Sequence, residues 1–68
     1  MNGRDLIWKS GITGITYRES DNDNCIVVVS SPSKINGRMD YIRTEFPNAG
    51  IISIDEEFGY GLYEVKLL

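Results

Sequence analysis

Between Lys34 and Phe46 the apolar residues Ile35, Met39, Ile42 and Phe46 recur at helical spacing, and Pro47 cannot continue the turn. The segment predicts one amphipathic helix. The other segments long enough to be regular read as strand. One short helix covers only one face of a small sheet, so the opposite face is left to water, to a second copy of the chain or to a partner. With 68 residues the chain has material for a single domain, residues 1–68, around one core.

Domains this small are commonly reinforced by disulfides, a structural metal or self-association. The single cysteine, Cys25, excludes an internal disulfide, and a sequence without histidine lacks the common zinc ligand sets. Self-association, as a homodimer, is the reinforcement left, and no cofactor is expected. Ten acidic against seven basic residues give a net charge of −3, which opposes nonspecific attraction to phosphate backbones. The bias sits in the second half: residues 1–34 balance, whereas residues 35–68 hold Asp40, Glu45, Asp55, Glu56, Glu57 and Glu64 against Arg38, Arg43 and Lys66. No apolar run approaches the ~20 residues of a membrane span, and the N-terminus lacks a charged-then-apolar leader pattern. Together with a free thiol this predicts a soluble, cytoplasmic protein.

Along the chain, Leu6 to Arg18 contains Ile12, Ile15, Thr16 and Tyr17, all strand formers, interrupted by Gly11 and Gly14. A strand with a bulge or bend is expected there. Glu19 to Asn24 is a polar turn closing a hairpin. Cys25 to Val29 is continuously apolar and β-branched, which suits a central strand buried on both faces. Ser31-Pro32-Ser33 supplies helix-start chemistry, and Gly37 lies inside the helix, placed for close packing on the sheet or for fraying of the first turn. Ile51 to Glu57 alternates with Ile52 and Ile54 on one face, and Leu62 to Leu67 with Tyr63, Val65 and Leu67. Phe58-Gly59-Tyr60-Gly61 connects them. The order β-β-α-β-β gives an α+β domain with a four-stranded, mainly antiparallel sheet and one helix on one face. The second and fourth strands take the centre, where the doubly apolar second strand is not wasted at an edge. The alternative, a β-grasp with the first and last strands central, resembles ubiquitin-like and immunoglobulin-binding domains in element order.

Catalytic patterns are weak. Cys25 has no histidine to activate it and opens an apolar strand, where cysteine behaves as a small hydrophobe. Asp21-Asn22-Asp23-Asn24 mimics the start of a calcium loop, but positions six and twelve are Ile26 and Pro32 instead of the required glycine and glutamate. Gly11-Ile12-Thr13-Gly14 has the letters of a nucleic-acid-clamping G-x-x-G loop without its two-helix context, and Gly59-Tyr60-Gly61 is turn chemistry. The carboxylates Asp55, Glu56, Glu57 and Glu64 are the only groups for acid–base work and have no visible reason for a raised pKa, so an enzyme is not expected.

Two surfaces remain. Asp55, Glu56 and Glu57, with Tyr60 at the turn and Glu64 across the hairpin, form an acidic candidate surface for a basic partner. An apolar strip on the sheet face away from the helix, drawn from Ile26 and Val28 or from Val27 and Val29, has interface composition. Lys34, Arg38, Tyr41 and Arg43 on one helix flank form the alternative, a nucleic-acid footprint interrupted by Asp40 and Glu45. Trp8, Tyr17 and Tyr60 are the aromatics least committed to the core, with Trp8 alternatively folded over the sheet as a lid. The leading expectation is a non-catalytic protein-binding module acting through the open sheet face and the acidic hairpin. By analogy with many small phage and mobile-element proteins, it would act as a regulator or inhibitor of a larger protein.

Overall fold

The computed structural model describes residues 1–68. Strands β1 (Tyr17–Glu19), β2 (Cys25–Ser30), β3 (Gly50–Glu57) and β4 (Tyr60–Lys66) form one antiparallel sheet in the order β1-β2-β4-β3. Helix α1 (Gly3–Ser10) precedes β1, and α2 (Ile35–Arg43) joins β2 to β3. This is the α+β architecture expected, with β2 and β4 central, and the β-grasp order does not occur. β2 takes the centre because it is apolar on both sides: Cys25, Ile26 and Val28 are buried, and Val27 and Val29 are half-buried.

The N-terminal strand is corrected to a helix. The Asn2 side chain accepts from the Arg4 amide at 2.9 Å, Asp5 and Lys9 lie at the ends that suit their charges, and Gly11, at φ 83°, terminates the turn in a left-handed conformation. Those local signals outweigh the strand-forming residues downstream, of which only the short β1 pairs with β2. The sheet therefore carries two helices. Both contribute to one core of twelve buried residues, in which Ile7, Ile12, Ile35, Met39, Ile42 and Phe46 pack over Ile26, Val28, Tyr63, Val65 and Leu67, with Ala49 the twelfth.

All four expected apolar positions of α2 are buried although the regular helix stops at Arg43. The Thr44 and Glu45 amides donate three residues back, to Tyr41 and Ile42, and the Phe46 amide donates to Ile42 at 3.0 Å, so a tightened last turn still delivers Phe46 inward. The helix start differs from expectation. Lys34, not a serine, is the N-cap and makes no side-chain cap, while the Ser31 and Ser33 hydroxyls lie 3.3 Å from each other.

The second hairpin is also tighter than expected, because Tyr60 and Gly61 already belong to β4 and only Phe58 and Gly59 form the turn. A register shift between Ile51 and Ser53 breaks the alternation of β3. Neither Ile52 nor Ile54 enters the core; both are exposed on an edge strand that the helices do not cover.

Two glycine substitutions separate tight from loose contacts. A Cβ on Gly3 would collide with the Cys25 backbone carbonyl, whereas one on Gly37 meets nothing within 4 Å, so Gly37 serves no close packing. Gly3→Ala is predicted to cost about 2 kcal/mol, lowering Tm by about 10 °C. Gly37→Ala should raise Tm by about 5 °C through helix propensity, and thermal melts of the two variants check both values.

Candidate partner-binding surface

Register sorts the acidic residues onto two faces. Ser53 pairs with Glu64, Asp55 with Leu62 and Glu57 with Tyr60, while Glu64 and Leu62 face Val27 and Val29 on β2. These side chains share the face away from the helices, since directly opposed residues in an antiparallel pair point the same way. Of the two alternative apolar strips on β2, Val27 and Val29 lie on this face. Glu56 pairs with Gly61 and therefore lies on the opposite face. Asp55, Glu57, Tyr60 and Glu64 are thus brought to one side of the sheet without Glu56.

The carboxylates on that side are engaged to different degrees. Glu64 accepts from the Ser20 hydroxyl, from the Asn22 side-chain amide at 2.9 Å and from the Ser53 hydroxyl at 3.4 Å. The Ser20 contact, followed by Asn22, holds its carboxyl below the ordinary 4.5. The polar turn between β1 and β2 is therefore a clamp for Glu64. Glu57 receives the Arg18 guanidinium at 3.3 Å, a contact that spans from one sheet edge to the other across β2 and β4. Asp55 accepts only the amide of its neighbour Glu56. A shallow depression of about 210 Å³ lies between these groups, lined by Val27, Ser53, Asp55, Leu62 and Glu64.

The hairpin tip is the feature that sequence spacing did not single out. Phe58 and Gly59 both have positive φ, 49° and 82°, the backbone pattern of a type I′ turn. That turn favours asparagine or glycine at its first position, and Phe58 instead presents its ring 94% exposed. A bulky residue at the first position of a two-residue turn was the available signal. Tyr60 lies beside it, 58% exposed.

The basic alternative is only partly assembled. Lys34 and Arg38, with Ser33 and Gly37, line a depression of about 460 Å³ at the start of α2. Arg43 instead donates to the Ala49 carbonyl at 2.8 Å, and the Tyr41 hydroxyl accepts from the Thr13 amide. Trp8 lies on α1, 82% exposed, and does not form a lid, while Tyr17 packs half-buried against the core. Cys25 is buried, and burial, then the Glu64 carboxylate, pushes its thiol above the ordinary value. No group of three His, Cys, Asp or Glu side chains is placed to hold a metal ion, and no helix is long and apolar enough to cross a membrane.

Compared with protein-family models, with curated proteins and with solved structures, the chain matches none.

A carboxyl held low in the folded state stabilises the fold above its unfolded value and loses that contribution as pH falls through its folded value. Glu64→Gln is therefore predicted to lower Tm at about pH 7, with the difference from wild type closing below about pH 4.5. Melting curves across that range test it.

Proposed function

We propose that this chain is a non-catalytic protein-binding module, a small regulator or inhibitor that engages a larger protein through the tip of the β3–β4 hairpin and the adjoining open sheet face. The observation that supports this reading most is Phe58. A non-glycine residue in the left-handed region costs about 1 kcal/mol, and an aromatic ring left in water gains nothing from burial. A backbone penalty with no burial to offset it serves no purpose in the isolated fold, and strain of this kind gathers where a residue is displayed for contact. Aromatic rings are the side chains that most often anchor protein interfaces. Tyr60 extends the apolar contact. Asp55 and Glu56 flank it on the two faces, so the complementary partner has an apolar pocket rimmed by basic groups.

The alternative, a nucleic-acid-binding regulator, draws on Lys34 and Arg38 beside their depression. It would show the steep salt dependence of phosphate binding.

Phe58→Asn separates function from stability. Asparagine suits the turn, so the variant is predicted to melt about 5 °C above wild type. It should also lose the protein that wild type captures, in the presence of nuclease and moderate salt, from lysate of the source organism or of its host. Capture that survives Phe58→Asn unchanged would remove the hairpin tip from the interface. Recovery of nucleic acid alone would move the function to α2.

A further inference from the structure

The geometry points to a second copy of this chain as the occupant of the exposed β3 edge, paired antiparallel about Ser53 so that two four-stranded sheets join into one of eight strands. This goes beyond the binding reading and does not rest on it, since it uses the strand edge and not the hairpin tip.

β3 ends the sheet, and its residues from Ile51 to Glu57 are all exposed. An edge strand offers unpaired amides and carbonyls to any strand that can align with it, and natural edges are blunted with charges, proline or bulges. β3 has a bulge after Ile51 and three acids at its turn end, but no lysine or proline, and its first half carries no charge. That half exposes isoleucines: Ile51 37%, Ile52 53% and Ile54 64%. Ile51 pairs with Val65 and Ile54 with Tyr63, which places them on the helix side beyond the cover of α2. Ile52 has no partner of its own and shares with Ile51 the position opposite Val65 at the bulge, which puts it on the same side.

The two-residue turn makes Glu57 and Tyr60 the hydrogen-bonded closing pair, and the alternation that follows directs the Ile54 amide and carbonyl away from β4. Pairing about Ser53 sets these groups, twice by symmetry, against the partner's Ile52. It packs Ile54 on the partner's Ile52 on the helix side and puts Ser53 beside the partner's Ser53 on the open side. Charge selects this register. Pairing centred on Asp55 would oppose two carboxylates directly, and pairing centred on Ile54 would bring the partner's Asp55 level with Ser53 and Glu64. About Ser53, the acidic ends of the two strands lie apart. Because Ile51 and Ile52 occupy one position at the bulge, each brings Asp55 toward Gly50 of the other copy, where Lys66 is the neighbour on β4. Lys66 is exposed and makes no ion pair within the protomer. The bulge between Ile51 and Ser53 keeps the ladder short, and the two-fold symmetry closes it, so the assembly stops at two.

A ladder this short makes one of the smaller specific interfaces, so sedimentation equilibrium of the full chain should show a dimer dissociating at about 1–100 µM. Ile54 is exposed, so Ile54→Lys should keep the thermal melt of a folded domain and weaken association at least about a hundredfold. Lys66→Asp should weaken it about tenfold, and adding Asp55→Lys should restore it to within about threefold. Ser53→Cys should cross-link under mild oxidant, since opposed positions on paired strands lie within disulfide reach. Wild type, with its single buried thiol, and Glu56→Cys should not. A protein that stays monomeric to about 1 mM, or a dimer indifferent to Ile54→Lys, overturns the proposal. A monomer that still captures its partner through Phe58 sinks this inference and leaves the binding reading standing, whereas a Ser53-centred dimer with Phe58 irrelevant does the reverse.

Discussion

The pairing of β2 with β4 is the interaction on which everything else rests. It runs from Cys25 opposite Lys66 to Ser30 opposite Gly61, and it places Ile26, Val28, Tyr63 and Val65 side by side as the floor of the core. Both helices and both edge strands attach to that pair. α1 starts on the Cys25 carbonyl, where only a glycine fits, and the Met1 and Asn24 carbonyls accept amides that tie the two chain ends to the start of β2. On the other face the same register brings Glu64 opposite Val27, within reach of Ser20, Asn22 and Ser53. One strand pair thus organises an apolar side and a polar side at once.

The central features were legible because they depend on side-chain chemistry that survives in a linear string. The doubly apolar run at Cys25 to Val29, the helical spacing of Ile35, Met39, Ile42 and Phe46, and the alternation of Tyr63, Val65 and Leu67 each point to one burial pattern, and tertiary packing agrees with it. At the N-terminus two kinds of signal compete. Asn2, Asp5, Lys9 and Gly11 mark the ends of a short helix, while Ile12, Ile15 and Thr16 favour strand, and the caps decide the structure as far as Gly11. β3 departs from its pattern for another reason. Its alternation holds only from Ser53 onward, and alternation reports two faces and not whether anything covers either one; the helices stop short of this edge.

The candidate surface was legible in composition but not in arrangement. Three consecutive acids cannot share a face of a strand, so Glu56 parts from Asp55 and Glu57. The partners that decide how free each carboxylate is, Arg18 for Glu57 and Ser20 with Asn22 for Glu64, lie about forty residues away in sequence and meet them only once the sheet has formed. Likewise, Tyr41 and Arg43 look like free recognition groups in the sequence and turn out to hold backbone groups of neighbouring loops.

The turn at Phe58 and Gly59 also bears on the order in which the molecule assembles. A hairpin with a two-residue loop closes locally, on the scale of about 1–10 µs, whereas joining β2 to β4 requires closing a long loop that contains α2 and β3. The β3–β4 hairpin is therefore the natural early element, and β4 reaches β2 already paired on its other side. An unfavourable residue in the tightest turn slows that closure, so the chain accepts a delay at the first pairing of its strands. During that interval the unpaired β3 and the apolar face of β4 stand exposed together, and the time spent there sets how far a nascent chain is open to capture by another chain before its own core closes.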